Sequence, residues 1–484
     1  MNTIWDFSAF GGKPALIDDT GVTVRYDELA ALQKELTNAV GSGELTMMLC
    51  ENSIGALWGY AALLNGGHPM LLVSAGLPED MRRQIMNTYR PGLVFAPKAI
   101  RGEYAHMRQL REIDDYILFR TNYAEAYPLH PALGQLLTTS GSTGSVKFVR
   151  QSWDGIRFNT RVIADYLNVT DADRTITALP MNYTYGLSVI SANLLKGAAM
   201  IVTRSGVMDE EFWDLFENEH VTAFHGVPNT YDMLHRLDLF CEDFPDLRLM
   251  TQAGGKLNRD LHQYFAQYAR DYGKRFIVMY GQSEATAAIS YLPAEKSLDK
   301  PGSVGIAVPG GKIELIDGNG KPIETPRVPG ELIYRGPNVT LGYASCGDDL
   351  GRGDDWHGEL RTGDVAAWDE DGFLYITGRI KRFLKMSGHR ISLDEIDEKI
   401  MNDIHIRCVS SGVDDHLVIF VLSGEDKDAV QDYVRRNISV VRPSFQVVQT
   451  DAFPTNEAGK ILYGALQEKA KQFIANTPHT VLQA

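Results

Sequence analysis

The chain has 484 residues, 44% hydrophobic and 23% charged, with a formal net charge of −15 at pH 7; that length suits one large body with a smaller companion rather than a single ordinary domain. The acidic balance argues against non-specific binding to nucleic acid or an anionic membrane, and the scattered Cys50, Cys241, Cys346 and Cys408 argue against a disulfide framework or zinc site. No apolar run approaches the roughly 20 residues that span a bilayer, and the start MNTIWDFSAFGG has no leader character, so a reducing cytoplasm is expected, with neither nucleic acid nor membrane as a partner.

In chain order, ELTMMLC, the helix-like SIGALWGYAALLNGG, MLLV and later AAMIVT and RFIVMY alternate short apolar runs with amphipathic stretches. Such alternation predicts an α/β body of mostly parallel sheets flanked by helices. After about residue 300, KIELIDGNGKPIE and VAAWDEDGFLYITG read as β-hairpins turning at 317–320 and 369–372, a β-hairpin-rich subdomain. The acidic, Gly-rich stretch 346–357 reads as a surface loop. A second unit is expected from near Gly378, where Ser392 and Glu395 have capping-box spacing and should start a helix with Ile396 and Ile400 on its apolar face. HLVIFVLSG then reads as a strand, DKDAVQDYVRRNI as a helix and FQVVQT as a strand. That makes a small α/β domain of about 100 residues, and the polar stretch after Phe473 reads as a disordered tail.

The strongest local signal is LLTTSGSTGSVKFV, in which an apolar lead-in meets Thr139, Ser140, Gly141, Ser142, Thr143 and Gly144 and ends in Lys147. Glycines let backbone N–H groups approach an anion, hydroxyls add donors and the lysine adds a full charge, which is phosphate-cradle chemistry. A Walker A loop is excluded, because Val146 and Phe148 stand where it needs Gly and Ser or Thr. YGQSEAT follows the strand-like RFIVM, so Glu284 should sit at a strand's carboxyl end, where α/β sheets bind ligands. GELIYRGPNVTLGYA (330–344), RTGDVAAWDEDGFLYITGRIKRFLKMSGHRIS (361–392) and PTNEAGKI (454–461) complete the set. Taken singly, each has a plain account: a polar turn, a helix N-terminal acid at Glu284, a turn residue at Asp364, a solvated strand end at Arg379, a loop lysine at Lys460.

As an ordered set these motifs resemble the acyl-adenylate-forming (AMP-binding) superfamily, which contains acyl- and aryl-CoA ligases, the adenylation domains of nonribosomal peptide synthetases and firefly luciferase. The resemblance runs over nearly the whole chain. It implies an adenylation domain over 1–378 and a small, mobile C-terminal domain over 379–484, with a hinge near Lys381. The implied activity is that of an ATP-dependent acid–thiol ligase, which makes an acyl-AMP and passes the acyl group to a phosphopantetheine thiol. The implied cofactors are ATP, Mg²⁺ and coenzyme A or the phosphopantetheine of an acyl carrier protein acting in trans.

The resemblance also implies roles. Thr139 to Gly144 and Lys147 would hold the β- and γ-phosphates. Glu284 would help bind Mg²⁺, with Ser283 beside the α-phosphate. Gln252, Ala253 and Gly254 would lie along adenine, and Tyr280, followed by Gly281 and Gln282, would stack on it. Asp364 would hold the ribose hydroxyls with support from Arg379. Lys460 would bridge carboxylate and nucleotide, and Gly388 would line a pantetheine tunnel. Tyr183, Gly186, Gly226, Val227 and Gly255 would form the acyl pocket.

Two departures stand out: Val146 replaces a frequent proline, and Tyr183 stands where many CoA ligases have histidine. The stretch Asn182-Tyr183-Thr184 lacks the aspartate that pairs with an α-amino group in peptide-synthetase domains. An acyl or aryl acid is therefore expected, the alternative being a stand-alone amino-acid ligase of the D-alanine–carrier type. His220, His235 and His405 read as satisfied or exposed imidazoles; His225 adjoins the pocket wall, with no catalytic role. Lys381, Arg382, Lys385 and Arg390 cluster in sequence and could form a basic surface for an acidic carrier.

Overall fold

The apolar run Thr46–Cys50 forms a strand buried along its whole length, as expected where both faces of a sheet are covered. The computed structural model describes residues 3–138, 147–380, 382–386, 389–438, 445–456 and 459–476. Two compact units divide the chain: residues 1–312 with 334–360, and residues 313–333 with 361–484.

The first unit holds two large sheets. In one, Pro14–Asp18, Ala199–Val202, Arg174–Ile176, Ala223–Gly226, Leu249–Gln252 and Arg275–Gln282 run parallel in that order. Antiparallel strands close its edges, Thr23–Arg25 at one and Ala287–Tyr291 with Ile306–Ala307 at the other. In the second sheet Leu93–Pro97, Thr46–Cys50, Met70–Ser74 and Leu133–Thr138 are parallel. Antiparallel strands extend it on both sides: Tyr116–Arg120 and Arg108–Ile113, then Phe148–Ser152 and Tyr343–Ala344. The helix-like SIGALWGYAALLNGG becomes Ile54–Asn65, started by Ser53, whose Oγ accepts from the N–H of Ala56. This helix is apolar all round because it is buried: Leu57, Tyr60 and Leu64 join Leu16 and Met200 of the first sheet to Met48 and Phe95 of the second in one core.

The expected surface loop 346–357 is exposed over most of its length, and it is also tied down. Leu350 is buried, and Arg150, whose side chain is fully buried, donates to the carbonyls of Leu341 (2.5 Å), Tyr343 (3.1 Å), Arg352 (2.6 Å) and Gly353 (3.1 Å) and to Asp355 Oδ2 (2.7 Å). Nothing in the residues of the loop itself announces a partner some 200 positions earlier.

Four strands that lie mostly in the second unit, Lys312–Ile316, Gly330–Arg335, Glu359–Trp368 and Leu374–Arg379, form one sheet. The 369–372 turn closes the expected hairpin. The 317–320 turn closes too, but its second arm is reduced to a single bridge, Ile316 with Pro322, since a proline has no N–H for the ladder. Ser392 caps Leu393–Ile404 by accepting from the N–H of Glu395 at 3.3 Å, and Ile396 and Ile400 face the core. Cys408–Val413, His416–Val421 and Phe445–Gln449 form a sheet, accompanied by the helices Gly424–Asn437 and Tyr463–Asn476. That last helix shortens the expected tail by three residues: it runs past Phe473 to Asn476, with Leu466 and Ala470 buried beside Phe420 and Phe453 and the rings of Phe473 and Phe420 meeting at 6.4 Å. Residues 477–484 lie outside the described part. No disulfide joins Cys50, Cys241, Cys346 or Cys408, and among the described residues no helix is long and apolar enough to cross a membrane.

Candidate functional site

Glu284 lies two residues past the strand Arg275–Gln282, on the short turn Ser283–Ala285, at a carboxyl end of the parallel sheet. Its Oε1 accepts a 2.8 Å hydrogen bond from the hydroxyl of Tyr343. Lys147 meets the same residue, its Nζ over the ring at 3.4 Å from the Tyr343 centroid. The site thus brings together two of the residues that the sequence singles out, through a third that it does not. Ser283 shares a short hydrogen bond with Thr184, each hydroxyl able to donate. Thr139 to Gly144 lie outside the described residues; the strands on either side pair antiparallel, Thr138 opposite Phe148.

Tyr183, Val227 and Gly254 converge at the carboxyl ends of Ala223–Gly226 and Leu249–Gln252. Gly254 has φ +87°, and a Cβ there would stand 2.4 Å from the Tyr183 hydroxyl and 3.3 Å from Val227, so no side chain fits at that position. Gly255 faces Pro228, and Gly226 faces Tyr231 and Thr230. Gly186 has a packing reason of its own: a Cβ would meet the Pro180 carbonyl at 2.4 Å. Gly281 likewise sits where a Cβ would overlap the carbonyl of Ala287 on the neighbouring strand. Tyr280 pairs with Ser290 on that same ladder. Gln252 folds the 252–255 turn by donating from Nε2 to Ala253 O (3.1 Å) and Gly255 O (2.9 Å). Its Oε1 is buried without a partner among the described residues.

His225 is buried beside this group. Its Nδ1 meets the Thr251 hydroxyl at 2.5 Å, and the same hydroxyl meets Tyr185 at 2.5 Å. Burial holds the His225 imidazole down at about 3. His262 is similar: its Nδ1 accepts from the N–H of Gly302 at 3.0 Å and its Nε2 faces Ser297 Oγ at 3.0 Å, with burial holding it at about 4. In the unfolded chain both rings titrate near 6.5. The folded values are depressed, so the unfolded state binds the extra protons below about 6.5. Stability is therefore intact above that pH and falls toward pH 4 by about 1.4 kcal/mol per pH unit for each ring. Thermal melts between pH 7.5 and 4.5 should show the first unit losing stability, with a shallower slope in His262→Asn; a flat profile would contradict the assignment. Of the other histidines, His220 pairs with Asp246 at 2.8 Å and His235 meets the ring of Tyr264, as expected of satisfied imidazoles.

In the second unit Asp364 and Arg379 are opposite each other across the strands Glu359–Trp368 and Leu374–Arg379. Arg379 Nε donates to the buried Asp364 at 2.9 Å. Lys460 sits in a tight loop: its N–H donates to Asn456 Oδ1 at 2.9 Å, and its carbonyl accepts from the N–H of Asn456 at 3.0 Å. Lys381 and Gly388 lie outside the described residues. Arg382 corrects the expected basic surface. Its side chain is 9% exposed and pairs with Asp394 (2.6 Å) and Asp397 (2.7 Å). Its guanidinium lies 3.9 Å from the Tyr463 ring centroid. Taking an arginine out of water requires such partners, so this charge is spent inside the unit.

Tyr343 and Arg150 are the residues that sequence reasoning missed. Tyr343 is in the quoted GELIYRGPNVTLGYA stretch, where a glycine–tyrosine pair gave no chemical cue; Arg150 reads as an ordinary strand residue.

A family model described as AMP-binding enzyme matches residues 5–344. The 3-hydroxybenzoate–CoA ligase of Aromatoleum sp. (strain CIB) is 27% identical over 95% of this chain and 94% of its own length. The o-succinylbenzoate CoA synthetase of Bacillus subtilis, solved with its acyl-adenylate intermediate, superposes with a TM-score of 0.76 at 23% identity, over 95% of this chain and 96% of that one. ATP-bound MatB from Rhodopseudomonas palustris gives 0.78 at 22% identity, over 96% and 99%. These structures share the two-domain α/β fold. With the family model covering well over half of its length, the chain belongs to the AMP-binding enzymes and is an adenylate-forming ligase of the acyl-CoA synthetase type.

Proposed function

We propose that this enzyme activates a carboxylic acid without an α-amino group, aryl or acyl, as an acyl-AMP and transfers the acyl group to the thiol of coenzyme A. The observation that carries the reading is the meeting of Lys147 and Glu284 on Tyr343 at the carboxyl end of a parallel strand, in a chain whose full-length relative is an aryl-CoA ligase. We assign 1–378 to the adenylation domain and 379–484 to the small domain, with the hinge near Lys381.

The residues fit a magnesium nucleotide. Glu284 is part-buried and pairs with no basic side chain among the described residues, a state that favours a nearby cation. The described residues contain no cluster of three or more His, Cys, Asp or Glu suited to a metal, and Mg²⁺ characteristically uses one or two carboxylates plus substrate phosphates. Bound there, the ion would neutralise phosphate oxygens. The buried, unpartnered Oε1 of Gln252 is an acceptor suited to an N–H of the base. Asp364, held by Arg379, would accept from the ribose hydroxyls.

A carboxylate approaching an α-phosphate meets like charge, so the enzyme must place cations where charge builds up. Lys147 would hold the outer phosphates and Lys460 the reacting carboxylate. Tyr183, Val227 and Gly254 would wall the acyl group and exclude water from the adenylate. The stretch Asn182-Tyr183-Thr184 offers no carboxylate to an ammonium group: the Thr184 hydroxyl is engaged with Ser283, and Tyr183, pushed up to about 12 by burial, stays neutral.

ATP–pyrophosphate exchange across a panel of benzoates, short dicarboxylic acids, fatty acids and α-amino acids tests the assignment. Exchange is expected with members of the first three classes, with AMP release once coenzyme A is added. Exchange confined to an amino acid would overturn it.

A further inference from the structure

Lys147 and Glu284 carry opposite charges and reach the same residue, yet among the described residues they form no ion pair with each other; each is engaged by Tyr343 instead. A direct pair would be the default for two such groups in a part-buried site, since opposite charges at close range attract more strongly in a medium of reduced dielectric. That pair would also cancel both charges. We propose that Tyr343 is a positioning residue that acts as a spacer, holding the lysine on its ring face and the glutamate on its hydroxyl so that each keeps its charge for a ligand of opposite sign. The inference rests on the nucleotide site proposed above.

The geometry supports a spacer in three ways. A carboxylate can only accept, so the phenol is the donor in the 2.8 Å bond to Glu284. The lysine ammonium lies over the same ring at 3.4 Å, a favourable cation–π position. The ring itself cannot tilt freely. Trp356 packs edge-on against it at 5.0 Å, the Tyr343 carbonyl accepts from Arg150 Nε at 3.1 Å, and Tyr343 pairs with Val149 in the sheet. The preceding Gly342 has φ +107°, and a Cβ there would press on Asp355 and Arg150, so the chain is held closely as it enters the tyrosine. Val149 is two residues after Lys147, so the spacer is paired with the strand that the lysine immediately precedes.

The test reads binding by calorimetry without any acid present, using ATP alone and ATP with magnesium chloride. Tyr343→Phe keeps the ring and loses the hydroxyl. It should bind ATP alone as the native enzyme does and need about tenfold more magnesium, the usual scale of one hydrogen bond to a charged group. Tyr343→Leu loses both contacts and lets Lys147 reach Glu284, so its affinity for ATP alone should fall about tenfold. Glu284→Gln should restore that affinity in the Leu background, and should leave affinity for ATP alone little changed in the native background. A purely packing role predicts lower melting temperatures and no such rescue. The proposal is overturned if Tyr343→Phe already loses affinity for ATP alone, or if Glu284→Gln fails to restore Tyr343→Leu; should Tyr343→Leu not fold, the Phe variant decides. A native enzyme that binds no ATP would instead overturn the nucleotide site itself, and the spacer with it.

Discussion

Lys460→Ala is expected to slow adenylate formation by about 10²–10³-fold, the usual loss when one group that stabilises developing charge is removed, while thioester formation from pre-formed acyl-AMP and coenzyme A stays within a few-fold of native. The loop should survive the change, because its backbone is held by bonds that do not use the lysine side chain. The N–H of Lys460 donates to Asn456 Oδ1 at 2.9 Å, the N–H of Leu462 donates to the Pro454 carbonyl at 2.8 Å, and Thr455 bridges to Ile461. The asymmetry is the informative part. A lysine that neutralises the incoming carboxylate has work in the first half-reaction, where two anions meet, and none in the second, where a thiol meets a neutral carbonyl. Single-turnover measurements of each half-reaction separate the two. Equal damage to both would show that Lys460 supports the fold or serves both steps.

Arg150→Met should cost about 3–5 kcal/mol of stability in the first unit. The native side chain is fully buried and gives one fork of donors to four carbonyls and Asp355. A thioether of similar length fills the space but donates nothing, leaving the buried Leu341 carbonyl and four part-buried acceptors without their donor. Arg150→Lys should rescue little, since one ammonium cannot span the positions that a planar guanidinium serves. Urea titration followed by tryptophan fluorescence should show a lower midpoint with the slope nearly unchanged; a shift under 1 kcal/mol would mean that the 341–355 segment is held elsewhere.

Much of the fold could be read from local pattern because local physics decides it. Fully apolar runs such as Thr46–Cys50 became covered strands, and the Ser392–Glu395 spacing became a working cap. The places where reading stopped are those in which a side chain acts at long range. Arg150 is separated by about 200 positions from the carbonyls that it serves, and no periodicity records that. Tyr343 reaches residues 59 and 196 positions earlier in the chain, where a motif shows only a tyrosine after a glycine. Arg382 failed in the opposite direction: four basic residues close in sequence suggested a surface, yet this one, just before the strand Phe383–Met386, turns inward to Asp394 and Asp397.

The arrangement around Arg150 also bears on whether copies of this chain stick to one another. The second sheet ends on one side at the two-residue strand Tyr343–Ala344, and beyond it the backbone of Phe148–Ser152 would offer a template to any extended peptide. Both backbone groups of Arg150 are occupied on that edge: its N–H donates to Gly342 at 2.9 Å and its carbonyl accepts from Leu341 at 2.8 Å. The same residue's side chain clamps the segment that covers the edge. At the opposite edge Arg108–Ile113 is protected differently, by a bulge between Gln109 and Arg111 and by ion pairs of Arg111 with Glu35 and Glu112 with Lys98. One edge is thus guarded by charge and irregularity, the other by a strap that one buried guanidinium clamps at five points. Loosening that strap would expose a hydrogen-bonding edge flanked by the buried Phe148 and Val149, so an enzyme weakened at Arg150 should be lost to self-association at concentrations where the native chain stays dispersed.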